Sequence, residues 1–148
     1  MEIIPAFGGF FILLKKSFVL KGKAIPQAVS EITLIIPIYN SAETLRTCLT
    51  SVHNSNYPIE LMDILLVNNG SIDNSYEVYR QCQDEFRDLP MTWLNASQGK
   101  SKALNMALYN SHGKYIVHID SDGKLHPDAL RNMAMRFDHR RHYEISLF

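Results

Sequence analysis

Residues 32–40 read ITLIIPIYN and decide the fold of this chain. The first six of them form a nearly continuous β-branched and apolar run, which is typical of a strand buried on both faces of a parallel sheet. Asn40 and Glu43 then have the spacing of a helix-capping pair. Apolar residues follow at helical spacing, at Leu45, Cys48, Leu49 and Val52. The stretch therefore predicts a buried strand and then an amphipathic helix.

The same alternation continues along the chain. Further strands are predicted at residues 64–67, 91–94 and 115–119, and further helices at residues 75–86, 101–109 and 127–137. Asn74 and Glu77 again have capping spacing, and Pro127 suits the first turn of a helix. Short apolar runs that alternate with longer amphipathic ones indicate an α/β fold with a parallel sheet and crossover helices.

Composition and charge narrow the class of protein. With 148 residues, 46% of them hydrophobic, the chain suits one compact domain. Its 15 basic and 15 acidic residues balance, which argues against a nucleic-acid partner held by bulk charge. Cys48 and Cys82 are too few for a disulfide framework, so we expect a reducing, cytoplasmic compartment.

Residues 1–30 are interpreted as an N-terminal apolar segment and linker. The apolar run at residues 3–14 is shorter than the roughly 20 residues that a membrane span needs. Its lysines, Lys15 and Lys16, follow the run, whereas the charges of a signal peptide precede it. Two interpretations stay open: a strand or helix packed on the domain, or an interfacial segment that associates with the inner face of the cell membrane.

Polar residues gather where three predicted strands end. Asn40 follows the first strand, residues 68–73 the second, and residues 120–122 the fourth. Ligands of such sheets bind at the carboxyl ends of the strands, where loops and helix N-termini meet. Asp120 and Asp122, one residue apart, offer the oxygen ligands of a divalent cation that also binds substrate phosphates. We therefore expect a metal-assisted phosphate site at this edge.

Several conspicuous residues have ordinary structural interpretations. Cys48 and Cys82 are expected to be core or half-buried thiols, and His118 a core histidine with a satisfied ring. Trp93, the single tryptophan, lies in a short predicted strand and is expected to belong to the core rather than to a sugar-stacking surface.

Four blocks of sequence, in this order, resemble the successive motifs of family 2 glycosyltransferases, which have the GT-A fold. They are TLIIPIYN at residues 33–40, VNNGSIDNS at 67–75, GKSKALN at 99–105 and DSD at 120–122. The resemblance covers residues 32–137. It implies a Rossmann-like three-layer sandwich with a mostly parallel sheet. It also implies transfer of a sugar from a nucleotide sugar, usually linked to uridine diphosphate, to an acceptor hydroxyl with inversion. The residues of the last two blocks are similar to those of bacterial exopolysaccharide-type members of the family, including exosortase-associated ones.

The resemblance also implies roles for individual residues. Those lining the nucleoside pocket, or lying near it, would be Pro37, Tyr39, Asn68, Asn69 and Asp73. Those near the diphosphate and the donor sugar would be Lys100 or Lys102, and Asn105. Asp120 and Asp122 would hold Mn²⁺ or Mg²⁺. The family often has two aspartates where this chain has Asn68 and Asn69, so the charge-assisted contact to the base is missing and base selectivity stays open.

The last residues depart further from the family pattern. Family members continue past the metal motif into an acceptor-binding half with a catalytic carboxylate, whereas here Glu144 is the only carboxylate after Asp138. We therefore expect residues 31–138 to form a nucleotide-sugar-binding half truncated after the metal motif, with 139–148 an atypical tail and no general base identified.

The partners expected are a nucleotide-sugar donor and a saccharide or lipid-linked acceptor. The edge exposed by a missing half predicts self-association or a complementing C-terminal segment. The alternative hypothesis is a noncatalytic nucleotide or nucleotide-sugar binding module. A sugar-1-phosphate nucleotidyltransferase is disfavoured, because Pro37 to Asn40 occupy the place of its glycine-rich loop.

Overall fold

The computed structural model describes residues 11–14 and 30–145. The strands are β1 (Phe11–Leu14), β2 (Ile32–Ile38), β3 (Met62–Asn68), β4 (Met91–Asn95) and β5 (Tyr115–His118). The helices are α1 (Leu45–His53), α2 (Ser75–Glu85), α3 (Lys100–Asn110) and α4 (Ala129–Ile145), with a single 3₁₀ turn at Ile59–Leu61. The predicted order of strands and helices from residue 32 onward is confirmed.

The strands form one sheet in the order β1-β5-β2-β3-β4. β2 pairs in parallel with both β3 and β5, so that Ile35 lies opposite Leu65 on one side and His118 on the other. β4 is parallel to β3, whereas β1 adds to β5 in the antiparallel sense. From β2 the chain moves outward to β4 and then crosses to the other side of β2. The ends of β2 and β5 therefore flank the point where the strand order reverses, which is where open α/β sheets bind ligands.

Helices cover both faces of the sheet. On one face α1, α2 and α4 pack over alternate strand residues such as Leu34, Ile36 and Leu66. On the other face Ile35 and Val67 pack against the small residues of α3, among them Ala103. This arrangement confirms the three-layer, Rossmann-like sandwich with a mostly parallel sheet.

A charged cluster fixes α4 to the amino end of the sheet. The Asp138 carboxylate accepts hydrogen bonds from the Ser30 hydroxyl (3.0 Å), the Lys114 ammonium (2.5 Å) and the Tyr115 hydroxyl (2.5 Å). Tyr57 closes the cluster by donating to the Ser30 carbonyl. Partial burial alone would raise the pKa of Asp138, but the three hydrogen bonds lower it below its usual range. We name these five residues the amino-end cluster.

The helix starts differ from the predicted ones. Asn40 and Glu43 do not cap α1, whose N-cap residue is Thr44, so that prediction was wrong. Asn74 is the N-cap residue of α2, as predicted, but its side chain makes no capping hydrogen bond. Asn40 instead adopts a left-handed conformation (φ 46°), and its side chain bonds another loop. Helix α4 begins at Ala129, because residues 126–129 form a turn in which the Ala129 N–H donates to the His126 carbonyl. It continues to Ile145, through most of the stretch expected to be a tail.

The N-terminal expectations are met in part. Residues 11–14 form a strand on the edge of the sheet, as in the first of the two interpretations. The linker expected before residue 30 lies outside the described residues. In the described part of the chain, no helix combines the length and apolar character that a bilayer crossing requires.

Candidate functional site

The loops that follow β2, β3, β4 and β5 meet at the carboxyl edge of the sheet. We name this edge the rim and define it as residues 39–42, 68–75, 95–99 and 119–123. Because β2, β3, β4 and β5 run in parallel, their carboxyl ends point to the same side. The rim therefore brings together chain segments that lie far apart in the sequence.

Four hydrogen bonds join the loop after β2 to the loop after β3. The Asn40 N–H donates to the Ser71 hydroxyl (3.0 Å), and the Asn40 side-chain carbonyl accepts from the Ile72 N–H (2.9 Å). The Ser41 N–H donates to the Ser75 hydroxyl (2.8 Å), and the Ala42 N–H to the Asp73 carboxylate (2.8 Å). Since both loops supply donors and acceptors, each holds the other in shape.

Asp73 acts as a connector between these loops. Besides the Ala42 N–H, its carboxylate accepts hydrogen bonds from the N–H (3.1 Å) and the hydroxyl (2.5 Å) of Ser75. Burial alone would raise the pKa of Asp73, but these hydrogen bonds outweigh it and lower the pKa. The carboxylate is thus held in its charged form beside the expected nucleoside pocket.

Asn68 and Asn69 extend the network towards β4 and α3. The Asn68 side chain accepts from the Ser71 N–H (2.9 Å) and donates to the Asn95 side-chain carbonyl (3.1 Å). The Asn69 side-chain carbonyl accepts from the N–H of Gly99 (2.6 Å), the residue before α3. Each amide carbonyl has a second lone pair, so a base N–H can still be accepted at either residue.

Asp120, Ser121 and Asp122 follow β5 directly. The hydroxyls of Ser121 and Ser41 lie 2.6 Å apart, which ties this segment to the loop after β2. The Gly123 N–H donates to the Asp120 carbonyl (2.8 Å) and closes a turn that leaves Asp122 exposed. Asp120 is partly buried, and its Oδ1 lies 3.5 Å from Nε2 of the buried His118. The two aspartates therefore stand at the reversal point of the strand order.

The charges of Asp120, Asp122 and Lys100 affect the pKa values of two neighbouring groups, Cys48 and His118. Burial, followed by the negative charges of Asp122 and Asp120, raises the pKa of the Cys48 thiol to about 12. Cys48 is accordingly a protonated core thiol, as predicted, and no nucleophile. Burial also lowers the pKa of His118; the Lys100 charge adds to this and Asp120 opposes it. Asp120 and Lys100 thus act on His118 at the end of β5, and both aspartates act on Cys48 of α1.

The other expected site residues take different positions. Tyr39 follows β2 directly and is 57% exposed, while Pro37 lies half-buried within the strand. Lys100 and Lys102 stand exposed in the first turn of α3. Asn105 is exposed further along the same helix. The rim holds Tyr39, and Lys100 follows it directly, whereas Asn105 is more than a helical turn away.

Comparison with known proteins decides the family. The model of "Glycosyl transferase family 2" matches residues 33–145, which is most of the chain. This chain belongs to glycosyl transferase family 2. The match includes every strand and helix from β2 to α4, and so all of the rim.

Relatives of this family 2 chain are longer than the chain itself. Glycosyltransferase AglE of Haloferax volcanii is 33% identical over 99 residues, which are 67% of this chain and 33% of AglE. The poly-beta-1,6-N-acetyl-D-glucosamine synthase of Staphylococcus epidermidis is 30% identical over 122 residues, 81% of this chain and 29% of the synthase. The chain therefore spans about a third of the length of these relatives.

Solved structures share the fold. A mannosyltransferase from Pyrobaculum calidifontis, in complex with GDP-Man and Mn²⁺, superimposes with a TM-score of 0.66 at 27% identity, over 70% of this chain and 31% of that one. S. aureus TarS 1-349 gives a TM-score of 0.65 at 23% identity, over 74% and 32% of the two chains. These matches agree with the GT-A fold expected from the sequence.

The donor atoms at the rim fit a hard divalent cation. Mg²⁺ and Mn²⁺ prefer oxygen ligands, and Mg²⁺ is often held by one or two carboxylates together with substrate phosphates. Asp120 and Asp122 supply such carboxylates. Within residues 11–14 and 30–145, no group of three or more His, Cys, Asp or Glu side chains is placed to hold a metal. A cation at the two aspartates would therefore take its remaining ligands from phosphate and water.

Sequence reasoning missed the serines of the rim. Ser41, Ser71, Ser75 and Ser121 carry the hydroxyls that join the loops. Their partners are separated by 31 to 80 positions in the chain, so no local pattern identifies them. Their only signal in the sequence is that each stands within or beside one of the four motif blocks.

Proposed function

We propose that this chain forms the nucleotide-sugar-binding half of an inverting family 2 glycosyltransferase. The observation that carries the proposal is the rim itself. The loops after β2 and β5 are joined through Ser41 and Ser121 at the reversal point of the sheet, with Asp120 and Asp122 beside the junction. The exposed Asp122 and the partly buried Asp120 at that point are suited to a cation and a pyrophosphate.

The nucleoside would lie over the first half of the rim. Tyr39 offers an exposed ring for stacking a base, and Pro37, Asn68 and Asn69 would form the remaining wall. Asp73 would act by holding the loops that carry them. We propose a uridine diphosphate sugar as donor. TarS has been solved in complex with UDP and with UDP-GlcNAc, and the mannosyltransferase with GDP-Man. Binding experiments with UDP and GDP therefore decide which base the donor carries.

The diphosphate and the donor sugar would lie between α3 and the aspartates. Lys100 and Lys102 bring positive charge to the first turn of α3, and Asn105 adds an amide further along. The N-terminus of a helix itself favours an anion. Mn²⁺ or Mg²⁺, when bound at Asp120 and Asp122, would neutralise charge on the departing diphosphate.

Transfer with inversion also needs a general base near the acceptor hydroxyl. We assign none among residues 30–138. We propose that a complementing C-terminal segment supplies this base and the site for a saccharide or lipid-linked acceptor, at the inner face of the membrane. A role in polysaccharide biosynthesis is supported by relatives such as the S. epidermidis synthase.

Calorimetry with UDP tests the donor site. We expect UDP to bind in the presence of Mn²⁺ and to bind at least about tenfold more weakly without it. Asp122→Ala should abolish the effect of Mn²⁺. Asp84→Ala is the matched control, because it removes an exposed aspartate of α2 outside the rim. Binding that is independent of the metal, or unchanged in Asp122→Ala, would contradict the role of the aspartates.

A second experiment separates an enzyme half from a noncatalytic binding module. The family's C-terminal half, taken from a relative and added in trans, is expected to restore sugar transfer measured with radiolabelled UDP-sugar. Binding of UDP with no transfer in that mixture would favour the noncatalytic module.

A further inference from the structure

An open cleft of about 610 Å³ lies between α2 and the edge strand β4. Its walls include Tyr76, Arg80 and Gln83 of α2, and Thr92, Trp93 and Asn95 of β4. We name it the Trp93 cleft. Its volume is that of a site for a drug-sized ligand. Trp93 packs against the core, as the sequence predicted, but its side chain is only half-buried and also forms part of this wall.

The aromatic rings of the cleft form a fixed corner. Tyr76, 47% exposed, meets Trp93 edge to face, with centroids 5.3 Å apart and an interplanar angle of 69°. Buried Tyr79 supports Trp93 from behind at 5.1 Å. The indole N–H donates to the Asn95 side-chain carbonyl (3.0 Å), which sets the orientation of the ring. The rings are therefore held in place before any ligand arrives.

Polar groups surround this corner. Arg80 and Thr92 are exposed, and Gln83 is half-buried. Within residues 11–14 and 30–145, both hydrogen bonds of the Asn95 side chain use its carbonyl oxygen, which leaves its NH₂ group as a donor to a ligand. Among the described residues that line the cleft there is no carboxylate, and Arg80 supplies the one guanidinium. The cleft thus combines apolar ring faces with amide, hydroxyl and guanidinium groups.

We propose that the Trp93 cleft binds a saccharide chain. The cleft shares Asn68 and Asn95 with the rim, and its other walls lie outside the rim. The apolar face of a sugar ring can pack on an aromatic face while its hydroxyls bond to the amide and guanidinium groups around it. The absence of acids from the wall suits a neutral or N-acetylated sugar chain.

The cleft opens beside the rim. Asn95 and Asn68 are paired residues at the carboxyl ends of β4 and β3, and their side chains are hydrogen-bonded. A chain seated in the cleft could therefore extend along the same edge of the sheet that carries the donor site. That use of the cleft, to hold an acceptor or product chain, rests on the proposed function, whereas binding itself does not.

The single tryptophan makes binding directly measurable. We would titrate the full chain with chitotetraose and with cellotetraose, without nucleotide or metal, and follow the fluorescence of Trp93. We expect a saturable change with at least one of them. Tyr76→Ala and Arg80→Ala should each weaken binding by about tenfold. Tyr109→Ala should not, because Tyr109 is an 89% exposed tyrosine of α3 outside the cleft.

The same titration can overturn the proposal. An unchanged fluorescence with both oligosaccharides, or equal affinities for Tyr76→Ala and Tyr109→Ala, would refute a saccharide site. Displacement of the oligosaccharide by UDP would identify the cleft as part of a nucleotide site and would also refute it. Since no nucleotide or metal is needed for the binding signal, failure of the donor-site proposal would leave this result unaffected.

Discussion

Aspartates lie at both ends of the sheet, but their surroundings differ. At the amino end, Asp138 accepts hydrogen bonds from Ser30, Lys114 and Tyr115 and is held by a neighbouring positive charge. At the carboxyl end, Asp120 lies 3.5 Å from His118, and Asp122 makes no hydrogen bond or ion pair within the described residues. A carboxylate already satisfied by the protein serves the fold, whereas the exposed Asp122 and the partly exposed Asp120 at the strand reversal can still accept a ligand.

The largest effect on stability is expected at the amino end. Asp138→Asn removes a charge that three donors share, so we expect the free energy of unfolding to fall by ~1–3 kcal/mol at pH 7. Urea unfolding measures this loss. Asp128→Asn is the control, because the Asp128 carboxylate accepts a side-chain hydrogen bond from Asn56 (2.8 Å) and is not part of the amino-end cluster. If the free energy of unfolding falls equally in both variants, the three donors around Asp138 do not give it a special role in stability.

The pH dependence of that loss follows from the sign of the pKa shift. The pKa of Asp138 is lower in the folded state than in the unfolded state, where it is about 3.9. The carboxylate therefore stabilises the fold above about pH 4, and the contribution disappears as the pH falls through the folded-state pKa. The difference between wild type and Asp138→Asn should shrink as the pH falls below about 4.

A smaller effect is expected where the two loops of the rim meet. Ser41→Ala removes the hydroxyl contact to Ser121 and leaves a partly buried hydroxyl with fewer partners. We expect a loss of ~0.5–1.5 kcal/mol in stability and a larger loss in Mn²⁺-dependent UDP binding. Ser51→Ala is the control, because the Ser51 hydroxyl accepts a hydrogen bond from the Leu125 N–H and both residues lie outside the rim. If both variants bind UDP equally well, the Ser41 contact does not shape the donor site.

The smallest effect on stability is expected for the exposed acid of the rim. Asp122→Asn should change the free energy of unfolding by less than ~0.5 kcal/mol, because the side chain is exposed and no described group depends on it. The same variant should lose Mn²⁺-dependent binding of UDP. A marked destabilisation measured by urea unfolding would show that Asp122, like Asp138, is a structural residue.

The sequence predicted the fold well, because each strand and helix carries its own pattern of apolar residues. The run at residues 32–37 became the central strand β2, and Cys48 and Leu49 lie on the buried face of α1 as their spacing required. The predicted cap of α1 was wrong, because Asn40 has a long-range partner, the Ile72 N–H, that local spacing does not show.

The candidate site was predictable in outline only. The positions of Asp120 and Asp122 follow from the rule that parallel strands end at one edge. The serine contacts between loops do not follow from it, since they depend on side-chain geometry across as many as 80 positions. Trp93 shows the same limit, because a short strand pattern does not tell a core face from the wall of a cleft.

Paramagnetic broadening in an amide NMR spectrum tests the central claim most directly, namely that distant segments form one cation and diphosphate site. With UDP and substoichiometric Mn²⁺, we predict selective loss of the amide signals of Ser41, Asp120, Ser121 and Gly123. The signals of Lys114 and Tyr115, beside the amino-end cluster, should persist. Broadening centred on the amino end, or spread evenly over the sheet, would contradict the account.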